Sequence, residues 1–151
     1  MLRISLNVKH VKEAINMAID NTKDTLNSTD IIERIEELEN EFITETEKDT
    51  LEEAIETIKN FDNPTHPGLE EYNILKAFAS ELEGYGDWKD GETLIRESYF
   101  EDYCKELCED IGAIPKDFPG FIEIDWEATA NNLRVDYTEA ELDGVTYLMR
   151  A

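Results

Sequence analysis

Asp143-Gly144 stands between two short runs, Tyr137 to Leu142 and Val145 to Met149, and no other dipeptide restricts the fold of this chain as strongly. Asp-Gly between strand-like runs signals a β-hairpin, because its two-residue turn needs positive φ at both central positions. Upstream, Thr93-Leu94-Ile95 reads as a short strand, and Ser98 as the cap of a helix through Tyr103, Leu107 and Ile111 to Gly112. Pro115 and Pro119 bracket a loop leading to Phe121-Ile122-Glu123-Ile124, and a helix carrying Trp126, Ala130 and Leu133 starts at Asp125. Residues 84–150 therefore combine strand, hairpin and helix signals, and the expected C-terminal unit is a small α+β domain.

The remainder reads as helices. Leu2, Ile4 and Leu6 alternate with polar residues as a short strand or lead-in. Val11, Ile15, Ala18, Ile19 and Leu26 then recur at helical spacing. Asn27-Ser28-Thr29-Asp30, with Glu33 three residues after Asp30, is a helix-start cluster. Ile31, Ile35, Leu38 and Phe42 follow as a heptad-like seam. The seam fails across residues 44–49, and Thr50 with Glu53 opens a second helix carrying Leu51, Ala54, Ile55 and Ile58. Residues 60–68 break helix through Pro64 and Pro67. Tyr72, Leu75, Ala79 and Leu82 then resume the helical period until Gly84 and Gly86 end it. The fold class expected is α+β, an N-terminal antiparallel helical region followed by the small unit ending in a hairpin. The expected division is an acidic helical region over 1–63, a hinge and connecting helix over 64–83, and the α+β unit over 84–151.

Charge narrows the function. The 151 residues carry a formal net charge of −23 with 40% hydrophobic content, enough apolar residues for one ordinary core. A field of that sign repels phosphates, so direct nucleic-acid binding is not expected and basic protein surfaces are the favoured partners. There is no apolar run long enough for a membrane span and no secretory leader pattern, and a cytoplasmic location in a host bacterial cell is expected. Cys104 and Cys108 are too few for a disulfide framework and, with His10 and His66 remote from them, read as small apolar residues rather than metal ligands. No cofactor and no metal are expected.

The acids fall in two blocks. Residues 30–62 hold 13 acids against 3 bases, and residues 97–143 hold 14 against 3. A helix rises about 1.5 Å per residue and duplex DNA carries one charge per about 1.7 Å. Acids at every second or third helical position can therefore approximate one strand of phosphates.

Tyr99-Phe100-Glu101-Asp102-Tyr103, Ile124-Asp125-Trp126-Glu127-Ala128, Leu133, Asp136-Tyr137-Thr138 and Asp143-Gly144-Val145-Thr146-Tyr147 together form a pattern of order and spacing. It resembles the C-terminal segment of the ArdA-type antirestriction proteins and of related phage-encoded acidic proteins, over about residues 84–150. The resemblance implies a DNA mimic, since members of that family are elongated acidic dimers whose carboxylates stand in for phosphates in a restriction enzyme's DNA groove. The N-terminal half departs from the family, showing helices where the family has its preceding domains.

The expectation is a non-catalytic phage- or mobile-element-type inhibitor of a host defence nuclease. Its phosphate-mimicking acids would be Glu33, Glu36, Glu37, Glu39, Glu41, Glu52, Glu53, Glu56, Glu101, Asp102, Glu106, Glu109, Asp110, Glu123, Asp125 and Glu127. Trp88, in a glycine-rich loop, is an expected interface anchor. Two rival readings use the same residues. One is a structural module that dimerises through Ile31, Ile35, Leu38 and Phe42, with charge serving solubility. The other is a Mg²⁺-dependent all-α nucleotide pyrophosphohydrolase using the pairs Glu33/Glu36 and Glu53/Glu56, although Ile35, Leu38, Ile55 and Ile58 claim the inner face.

Overall fold

The computed structural model describes residues 17–61 and 66–151. In chain order the elements are β1 (Thr25–Asn27), α1 (Ser28–Thr46), α2 (Leu51–Phe61), α3 (Pro67–Leu82), β2 (Thr93–Arg96), a 3-10 turn (Glu97–Tyr99), α4 (Phe100–Asp110), α5 (Trp126–Arg134), β3 (Tyr137–Leu142) and β4 (Val145–Arg150). The architecture is α+β, five helices with a four-stranded antiparallel sheet of order β1-β2-β4-β3 among the described residues.

Local chemistry accounts for most boundaries. The Asn27 side chain accepts the Thr29 N–H at 2.9 Å and starts α1, one turn before the expected Asp30. Glu47 ends that helix in the left-handed region at φ 55°. The Thr50 hydroxyl accepts the Glu53 N–H at 3.3 Å at the head of α2. His66 Nδ1 accepts from Gly68 and Leu69 at 3.1 and 3.3 Å, and Pro67 occupies the first position of α3, where its missing N–H costs nothing. Asp125 caps α5 through the Ala128 N–H at 3.0 Å. The hairpin turn has φ of 48° at Asp143 and 85° at Gly144, as a type I′ turn requires.

Two expectations about local structure are corrected. Ser98 does not cap a helix; it lies in the 3-10 turn and accepts from Arg96 Nη1 at 2.8 Å. The helix expected to reach Leu26 does not, because residues 17–24 are irregular and Leu26 belongs to β1. Its Val11 and Ile15, the strand-like start of the chain and Pro64 of the hinge lie outside the described residues.

The two faces of the sheet have different covers. Leu94, Ala140, Leu142, Tyr147 and Met149 point to one side and join a core with Ile31, Leu38, Phe42, Ile58, Leu75, Phe78 and Leu82 of α1, α2 and α3. Ile95, Leu148 and Tyr137 point to the other side and meet Phe100, Cys104 and Ala130 of α4 and α5. This follows from the two-residue period of strands, in which Tyr147 and Leu148 cannot share a face. The result is three layers, with α1–α3 on one side of the sheet and α4–α5 on the other.

The larger core crosses the expected domain limits. Residues of 1–63, 64–83 and 84–151 share it, and β1 pairs with β2 at Thr25↔Ile95, Leu26↔Leu94 and Asn27↔Thr93. The helical region is built onto the C-terminal unit rather than standing beside it.

The expected dimer seam and interface anchor are both interior. Ile31, Ile35, Leu38 and Phe42 are exposed by only 0, 8, 1 and 1%, because α2, α3 and the sheet fill their side of α1. The seam is thus spent within one chain and is not a dimer surface. Trp88 is 4% exposed. Ser28 donates to the Trp88 carbonyl at 2.7 Å and accepts from the Glu92 N–H at 2.7 Å, which fastens residues 88–92 onto the start of α1 and turns the indole inward.

Candidate partner-binding surface

With positions 31, 35, 38 and 42 of α1 buried, a period of 3.6 residues directs Glu33, Glu36, Glu37 and Glu41 to solvent, where all four are exposed. Arg34 sits at the rim of this face and is heavily engaged. Its Nε and Nη2 each donate to the Glu71 carboxylate at 2.9 Å, and its Nη1 lies 3.1 Å from Glu37 and 3.8 Å from Glu41. Hydrogen bonding to Glu71, then to Glu37, raises the Arg34 pKa further above its ordinary value. Glu71 itself is 4% exposed and also accepts the Ala18 N–H at 3.3 Å.

Glu39 differs from its neighbours. It is half-buried and accepts the Tyr72 hydroxyl at 2.8 Å, so it is a structural acceptor more than a phosphate substitute. Burial first, and Glu39 second, push the Tyr72 phenol up to about 12. On α2, Glu52, Glu53 and Glu56 are exposed.

The second block lies across the sheet. Glu101, Asp102, Glu106, Glu109 and Asp110 are exposed on α4, Glu123 on the following loop, and Asp125 and Glu127 at the head of α5. Tyr99 donates to Glu106 at 2.8 Å, and that bond raises the tyrosine pKa. Asp125 divides its carboxylate between solvent and its capping bond. Arg134 bridges Glu97 and Glu139. Cys104 is buried and its thiol is pushed up to about 11 by that burial, so it stays protonated at neutral pH.

Of the sixteen acids expected to face a partner, fifteen are exposed and Glu39 alone is half-buried. They are brought together as two groups on opposite outer layers, and not as one stripe. Sequence reasoning missed Glu71, the residue that orders Arg34. Its signal was present, since Glu71, Leu75, Phe78 and Leu82 share one helical stripe, and an acid on an apolar stripe requires a buried partner. Phe121 and Ile122 were also not singled out, yet they are 87% and 46% exposed.

The two Glu-x-x-Glu pairs do not converge. Glu33, Glu36, Glu53 and Glu56 are all exposed, and among the described residues no three His, Cys, Asp or Glu side chains are grouped to hold a metal ion. Glu53 and Glu56 line only an open hollow of about 300 Å³ with Lys48, Thr57 and Asn60. Among the described residues no helix is long and apolar enough to cross a membrane.

Comparison with protein-family models, with curated proteins and with solved structures finds no match to this chain.

Proposed function

We propose that this chain is a non-catalytic inhibitor that occupies the basic DNA-binding groove of another protein, a host defence nuclease of the restriction type or similar. In this reading it is encoded by a phage or mobile element and acts in the host cytoplasm. The observation that carries the proposal is the display of fifteen exposed carboxylates in two groups, fourteen of them on regular helices or their heads and Glu123 on the loop between α4 and α5. Helices with buried inner faces hold those charges at set spacing, so a partner's Lys and Arg meet them without reordering the inhibitor. The likeness of residues 99–147 to the ArdA-type segment supports the same target class.

The placement of the two groups refines the reading. They face away from each other across the sheet, so one basic groove receives one group, α1/α2 or α4/α5. Neutralising one group separates them: E33Q/E36Q/E52Q on the first layer, E101Q/D102N/E109Q on the second. At roughly 0.5 kcal/mol for each exposed pair, the layer in contact loses about tenfold in affinity when three acids are neutralised, and the other layer loses little. The decisive experiment is capture from a bacterial lysate on the immobilised protein, with a salt gradient and a duplex-DNA competitor. Elution of a DNA-binding protein by salt and by duplex DNA is expected. Binding that neither salt nor DNA displaces would overturn the proposal.

A further inference from the structure

Between α4 and α5 the chain makes an ordered loop that presents three large apolar side chains outward, Ile111 at its start, 68% exposed, and the adjacent pair Phe121 and Ile122 on a turn. Pro115 and Pro119 each begin a turn, closed by Phe118 N–H to the Pro115 carbonyl at 3.0 Å and by Ile122 N–H to the Pro119 carbonyl at 3.1 Å. Ile114, Phe118 and Ile124 of the same loop are half-buried. The second turn leaves Phe121 87% and Ile122 46% exposed. The turn lies within a stretch of chain, residues 109–127, that holds six exposed acids, Glu109, Asp110, Asp117, Glu123, Asp125 and Glu127, and Lys116 as its sole base.

We propose that the Phe121–Ile122 turn is a docking point for a basic protein surface, its two side chains entering an apolar recess rimmed by Lys or Arg. A large apolar pair held outward on an ordered turn contributes most when a partner covers it, and an aromatic at the centre of a polar ring is the usual arrangement of an interface anchor. Charge decides the occupant. A second copy of this chain would bring the same six acids face to face, and an anionic lipid surface would be repelled equally. A cationic rim is the complement that gains from both features. The inference rests on the proposed function, for which it supplies the apolar contact that the carboxylates lack. It also assigns that contact to the α4/α5 layer.

The test uses two synthetic 18-residue amphipathic peptides with identical Lys positions, one with Leu and the other with Gln on the second face. Their affinities for the full chain and for F121S/I122S are read by fluorescence anisotropy at low salt. The wild type should bind the Leu peptide about tenfold or more tightly than the Gln peptide, the scale of burying one large apolar side chain. F121S/I122S should lose that preference while binding the Gln peptide as before. Both positions are exposed, so an unchanged circular dichroism melt is expected to confirm folding. Equal binding of both peptides by the wild type, or a preference that survives in F121S/I122S, overturns the docking point and leaves the electrostatic reading standing. Failure of both peptides to bind overturns both. Concentration-dependent dimerisation, or binding to phosphatidylglycerol vesicles, that F121S/I122S abolishes would assign the turn to a second copy or to lipid and overturn the proposal.

Discussion

Glu71 joins three segments of the helical layer through one carboxylate. Its carboxylate takes two hydrogen bonds from Arg34 of α1 and one from Ala18, tying α3 to two other segments at a site sheltered from water. Glu71→Gln keeps the shape but removes the charge, and should cost about 1.5–3 kcal/mol in urea unfolding, the range for a hydrogen bond to a charged group. Glu37→Gln, at the exposed end of the same guanidinium, should cost no more than about 1 kcal/mol. Tyrosine burial sets the alkaline limit. Tyr72 and Tyr137 are each raised to about 12 from 10.0, chiefly by burial. The unfolded chain therefore releases these protons first, so the tyrosines' contribution to stability is intact below about pH 10 and falls as pH rises toward 12. Cys104, raised to about 11 from 9.0, adds a loss that begins near pH 9. Urea midpoints measured from pH 8 to 12 should fall along this course, and Y72F/Y137F should flatten the upper part of the fall.

Element by element, local signals were legible where a cap or turn residue had a single use. Thr50, Asp125 and Asp143-Gly144 each sit where the sequence places them. Gly144→Val should cost about 1–2 kcal/mol, because a β-branched residue there must hold φ near 85°. Equilibrium unfolding of the variant checks this. Signals failed where two structures compete for the same residues. Leu26 fits a helical period, yet β1 forms because pairing with Leu94 places Leu26 against the larger core. Ser98 looks like a cap, yet Arg96 takes its hydroxyl. The α1 seam has the spacing of a coiled coil, and nothing in that spacing says whether the partner is another chain or the chain's own α2 and α3.

For the whole molecule the dominant quantity is charge. A net of −23 on one chain is self-repelling, and added salt screens that repulsion within about 10 Å at 0.1 M. Thermal stability should therefore rise as NaCl increases from about 20 to 500 mM, over the same range in which affinity for a basic partner falls. Opposite responses of melting temperature and affinity distinguish screening from unfolding as the cause of lost binding. The three-layer arrangement also governs geometry, since the sheet separates the two acidic groups and gives each its own approach.

The amino-acid sequence by itself determined the α+β class, the hairpin, the caps at Thr50 and Asp125 and the two acidic blocks. These depend on neighbours within a few residues or on counting. Tertiary structure alone decided that Trp88 is core, that the α1 seam is filled from within, that one core spans all three expected regions, and that the acidic blocks face apart. Each of those depends on packing between separate elements, such as Ser28 with Trp88 or the α1 seam with α2 and α3, decided by which apolar faces find each other in the helical layer and across the sheet. Local periodicity states how wide such a face is and carries no record of what will cover it.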